Sequence, residues 1–68
     1  MSIRQRLAKN LRSLRDARGW SQEELAFEAG MHRTYISDIE RCARNPTIEV
    51  VDKLAQTLKV RPGALLDE

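Results

Sequence analysis

The chain of 68 residues is long enough for one domain, and a domain of that size buries only about 60% of its unfolded surface. Its single cysteine, Cys42, excludes a disulfide scaffold and a cysteine-rich metal site, and no apolar run approaches the roughly 20 residues that cross a bilayer. With no signal-peptide core either, the expectation is a soluble, cytoplasmic protein that gains stability by association. Net charge is only +2 with pI ≈ 9.1, but it is unevenly spread. Residues 1–18 carry six basic side chains against Asp16 alone, a balance of +5 that leaves −3 for the rest. Such polarity fits either a basic face for a polyanion or a solvated arginine-rich helix.

Helical periodicity dominates, and no segment alternates as a strand does. Ile3, Leu7, Leu11 and Leu14 give a first helix one apolar face, and Gly19 ends it. Ser21 and Glu24 form a capping box, with Trp20 and Leu25 at the positions of a hydrophobic staple. A second helix is therefore expected from about Gln22 to Ala29, with Leu25, Ala26 and Ala29 inward and Gly30 as its stop. A third follows within about three residues, from near His32 or Arg33 to about Arg41, so tight a turn matching a helix-turn-helix unit. Asn45-Pro46 breaks the chain and Thr47 caps a fourth helix, with Glu49 and Asp52 near its positive end. Ile48, Val51, Leu54, Ala55 and Leu58 are its expected buried stripe. Pro62 opens a last short helix carrying Leu65 and Leu66. The expectation is one all-α domain.

Little supports catalysis. His32 and Cys42 are the lone histidine and thiol, and a helix separates them, whereas a nucleophilic pair needs hydrogen-bond contact. No spacing supplies three or four metal ligands, and there is no glycine-rich phosphate loop. No enzyme activity, cofactor, metal or small-molecule ligand is expected. The third helix is more informative. Ile36 and Ile39 mark an anchoring stripe, while Thr34, Ser37, Asp38 and Arg41 fall opposite, flanked by Arg33 and Tyr35. A helix that reads a major groove needs that division, and so does any ordinary solvated helix. Arginine can bond guanine bidentately, threonine can meet a thymine methyl, and aspartate can accept from cytosine.

The segment "WSQEELAFEAGMHRTYISDIERCARNPTIEVVDKLAQTLKV" resembles the lambda-repressor-like (Xre-type) helix-turn-helix domains of phage repressors, Cro and small bacterial relatives. Within it, "RTYISDIERCARNP" is similar to the controller proteins of restriction–modification systems. The resemblance runs from about Leu7 to Leu66. It implies a compact five-helix domain over residues 1–68, a helix-turn-helix at about 22–41, a dimerisation region at about 47–66, and a homodimer on a palindromic operator in double-stranded DNA. It also implies roles. Arg33, Thr34, Ser37 and Asp38 match base-reading positions. Gln22, Tyr35, Arg44 and Asn45 match residues near backbone phosphate. Arg15 and Glu40 match a structural ion pair, and Val50, Val60, Leu65 and Leu66 match a dimer seam for which plain core packing is the other reading.

Three positions depart from the family pattern. His32 stands where an aspartate commonly caps the third helix, so it either caps weakly or faces phosphate. Asp38 stands where glycine is frequent, and a carboxylate facing DNA costs affinity unless a cytosine amine meets it. Cys42 replaces a usual glycine and carries strain if that site needs positive φ. The principal expectation is a sequence-specific transcription regulator, an autoregulating controller. A toxin–antitoxin autorepressor is the second reading, and a helical protein-interaction module that never touches DNA is the third.

Overall fold

The computed structural model describes all 68 residues and contains five helices and no strand. α1 spans Ile3–Ala17, α2 Gln22–Ala29, α3 Arg33–Glu40, α4 Ile48–Leu58 and α5 Gly63–Leu66. No helix is long and apolar enough to cross a membrane. The expected capping box forms at α2, where Ser21 Oγ accepts from Glu24 N–H at 3.0 Å and Glu24 Oε1 accepts from Ser21 N–H at 2.7 Å. A second box, unanticipated, starts α1: Ser2 Oγ accepts from Gln5 N–H and Gln5 Oε1 accepts from Ser2 N–H. Thr47 caps α4 through Val50 N–H, as its position predicts.

One core joins these helices. Leu7 and Leu11 of α1, Leu25, Ala26 and Ala29 of α2, Ile36 and Ile39 of α3, Val51, Leu54, Ala55 and Leu58 of α4, and Leu65 of α5 pack in a single cluster. Leu14, expected on the same face, is half-buried and packs against its edge, and two other expected core residues lie outside it. Ile3 is 53% exposed and Ile48 is 85% exposed, because each opens its helix in a first turn that overhangs the cluster. Periodicity gives the face of a side chain but not where along the helix the core ends. α5 is fastened to α1 by long-range bonds: Arg6 Nε donates to Leu66 O at 2.8 Å, and Asn10 Nδ2 donates to Leu65 O at 3.1 Å.

The first four helices all end in the same turn. A residue in the left-handed region is followed by an N–H that reaches back five residues: Trp20 to Arg15 O, Met31 to Ala26 O, Ala43 to Asp38 O, and Val60 to Ala55 O. The left-handed residues are Gly19, Gly30, Cys42 and Lys59, with φ of 70°, 69°, 60° and 59°. Cys42 thus occupies a site where a side chain costs about 1–2 kcal/mol, while its Sγ has only a weak contact to Arg4 O at 3.7 Å. Cys42→Gly is expected to raise unfolding stability by about 1 kcal/mol in a urea titration, after the greater freedom of glycine in the unfolded chain is allowed for. A loss of stability would mean that the thiol contacts outweigh the backbone strain.

Candidate nucleic-acid interface

α3 is held in place by its two buried isoleucines and by a carboxylate at its end. Ile36 and Ile39 are essentially inaccessible, so the opposite side of the helix faces outward. The Glu40 carboxylate, with its side chain 0% exposed, accepts from Arg15 Nε at 2.8 Å and Arg15 Nη2 at 3.0 Å. The bidentate pair ties α1 to α3, and Arg15 also donates to Trp20 O at 2.7 Å. Burial alone would raise the Glu40 carboxyl. The bonds from Arg15 and Gln22 and the charges of Arg15 and Arg12 outweigh it and hold the group below the ordinary glutamate range. Arg15 in turn is raised, chiefly by its bond to Glu40. The expected structural pair is therefore present, and no buried side-chain polar atom lacks a partner.

Gln22, the first residue of α2, is drawn into the same cluster: its Nε2 donates to Glu40 Oε1 at 3.1 Å. An amide nitrogen carries two hydrogens, so the second remains available beside the free N–H groups of the α2 N-terminus, where phosphate is favoured. His32 does cap α3. Its Nδ1 accepts from Thr34 N–H at 3.2 Å, so the fitting neutral tautomer carries its proton on Nε2. That leaves an exposed ring whose outer N–H can face an anion.

The residues expected to read bases divide into two groups. Arg33 and Thr34 are exposed, and no intramolecular side-chain bond or ion pair occupies either one. Ser37 and Asp38 are half-buried. Asp38 is fully engaged: Oδ1 pairs with Arg41 Nη2 at 2.6 Å and Oδ2 with Arg44 Nη2 at 3.2 Å. These two bonds, that of Arg41 first, hold the Asp38 carboxyl below its ordinary range. Arg44 also lies over the Tyr35 ring, 4.4 Å from its centroid. Asn45 is exposed beyond it.

The positive charge of residues 1–18 is only partly free to meet a polyanion. Arg6 donates to Leu66 O of α5, Arg15 serves Glu40, and Arg18 donates to Leu58 O at 3.2 Å while stacking over Trp20. These roles depend on partners 25 to 60 residues distant in sequence, so composition cannot reveal them. Among the expected seam residues, Val50, Val60 and Leu66 are half-buried and pack against the core edge. Leu65 is 0% exposed and so has no surface to offer a second copy; its role in the monomer is core packing. Beside Leu66, an open groove of about 430 Å³ runs between α1, α4 and α5, lined by Ile3, Leu7, Pro46, Ile48 and Val51 among others.

Comparison with known proteins agrees with this fold. The Helix-turn-helix family profile matches residues 11–65. The chain is 45% identical over 67 residues to the control protein C.BamHI of Bacillus amyloliquefaciens, covering 97% of this chain and 83% of that protein. The restriction-modification controller protein C.AhdI from Aeromonas hydrophila superposes with TM-score 0.87 at 40% identity, over 91% of this chain and 94% of that one. The restriction-modification controller protein C.Esp1396I, solved as a tetramer with its natural 35-base-pair operator, superposes with TM-score 0.86 at 31% identity, over 96% and 86%. The resemblance read from the SQEELA and RTYIS segments therefore holds, and the chain belongs to the helix-turn-helix family of transcription regulators, not to a family of enzymes.

Proposed function

We propose that the chain is a homodimeric, sequence-specific DNA-binding regulator that controls transcription of a restriction–modification system. The observation that carries this reading is the pair Arg33–Thr34, exposed and unengaged at the N-terminal end of an α3 whose other face is locked into the core. That is where a recognition helix meets base edges. Gln22, His32, Tyr35, Arg44 and Asn45 surround it as phosphate contacts, and Ser37 and Asp38 extend the reading face. The near-full-length similarity to control proteins favours this reading over an antitoxin. On this reading the protein works in the cytoplasm, where the operator DNA of a bacterial restriction–modification system lies.

Size supports two copies. One copy measures 27 × 22 × 21 Å, less than the roughly 34 Å between successive major grooves on one side of a duplex. A palindrome is therefore read by two chains. Leu66 shares a groove with the exposed Ile3 and Ile48, and these with the half-buried Val50 and Val60 supply apolar surface for the seam.

Selection of bound sites from random duplex DNA tests the whole reading. The expected outcome is a two-fold symmetric motif with half-site centres about 10 base pairs apart. Recovery of an asymmetric motif, or only monomer in sedimentation with and without DNA, would remove the dimer. Recovery of no motif at all would remove sequence reading.

A further inference from the structure

The Asp38 carboxylate sits among residues expected to face DNA, yet it is the least exposed member of its ion-pair cluster. Its side chain is 16% exposed, against 64% for Arg41 and 45% for Arg44. Both of its oxygens hold an arginine, and the second arginine is fixed further by stacking on Tyr35. The backbone builds this arrangement. The left-handed Cys42 turns the chain sharply after α3, Ala43 N–H closes the turn onto Asp38 O at 2.8 Å, and Arg44 is thereby returned over the helix.

Taking the DNA-binding reading as given, we propose that Asp38 is a positioning residue that holds Arg41 and Arg44 away from the backbone of non-cognate DNA. Affinity for arbitrary sequence comes from neutralising phosphates with lysine and arginine. Each arginine gives one Nη2 to Asp38, so a phosphate contact must use its remaining N–H groups beside a carboxylate that offsets its charge and repels the polyanion. Cognate DNA meets a different balance. A carboxylate oxygen has two acceptor positions, so Asp38 can accept from a cytosine amine while its arginines stay in place and Arg44 meets its phosphate through the N–H groups that Asp38 leaves free. The cluster therefore weakens binding to random DNA more than binding to a site that presents the amine. The charge needed for this is secure at neutral pH, because the two arginines hold the carboxyl in its ionised form.

The test uses Asp38→Asn, which keeps the shape and removes the charge. Binding is measured to a random duplex and to the selected site, each across a salt series. On random duplex the variant is expected to bind about tenfold tighter. The slope of log K against log salt should steepen by about 1–2, as one or two phosphate contacts are gained. The selected site should gain less, so the ratio of specific to random affinity falls. In an Arg41→Ala/Arg44→Ala background the same Asp38→Asn change should leave the random-duplex slope where it was. Asp38→Ser, tested in parallel, should reproduce the steepening, and thermal melts establish that each variant is folded in the assay. An unchanged slope in the single variant, equal gains on both duplexes, or the same steepening without the two arginines would overturn the clamp alone. Wild-type protein that binds neither duplex would remove the DNA reading and the clamp with it.

Discussion

Glu40→Ala is expected to destabilise the fold by about 3 kcal/mol, measured by urea unfolding at neutral pH. The cost arises less from the lost attraction than from what is left behind. Arg15, its side chain 11% exposed, would keep only Trp20 O and Asp16 as partners while its bidentate acceptor is gone. Breaking a buried pair from one side costs about 3–5 kcal/mol, and those remaining partners place this case at the low end. A chain of 68 residues has a total stability of about 3–10 kcal/mol, so the variant would stand near the edge of folding. Replacing both partners, Arg15→Met with Glu40→Leu, should cost less than the single change, since no charge is then stranded. A loss below about 1 kcal/mol for Glu40→Ala would show the pair to be ornamental.

The same carboxylate fixes a pH dependence. Its folded value lies below the ordinary one, so the unfolded chain binds the proton more readily. The stabilisation is therefore full above the unfolded value and is lost as pH falls through the depressed folded value. Unfolding free energy should decline as acid is added from roughly pH 5 downward, and Glu40→Gln should flatten that limb. An identical acid limb in the variant would assign the dependence to other carboxylates.

The helices were legible because their ends are written in local chemistry. Ser21 with Glu24, Thr47, and the glycines at 19 and 30 act within a few residues, and all behave in the structure as their types dictate. The exposed outer face of α3 was legible for the same reason: Ile36 and Ile39 leave only one orientation for Arg33 and Thr34. Ile48 was misplaced because a 3.6-residue period says nothing about the overhang of a first turn. The internal duties of Arg6 and Arg18 were hidden because each binds a carbonyl that only the tertiary fold brings near. Asp38 was half legible. Its pairing with Arg41 follows from i, i+3 spacing, but its pairing with Arg44 needs the left-handed Cys42 turn, which sequence presents only as a conditional strain.

Arg33→Ala is expected to weaken binding to the selected site by about 1–3 kcal/mol and to relax preference at one base pair. Arg33 has the long reach, the exposure and the absence of any internal partner that a bidentate guanine contact requires. Arg41 and Arg44, both in the turn that follows α3, are held by Asp38. Arg33 should thus behave differently from an arginine that meets phosphate when each is replaced by alanine. For Arg33, loss is concentrated on the cognate duplex and the salt slope stays nearly constant, because a base contact displaces no counterion. For a phosphate-binding arginine, cognate and random duplexes weaken together and the slope falls by about 1. Binding isotherms at several salt concentrations on both duplexes separate the two behaviours. An equal loss on random DNA with a shallower slope would move Arg33 to the phosphate group and leave Thr34, Ser37 and Asp38 to account for sequence preference.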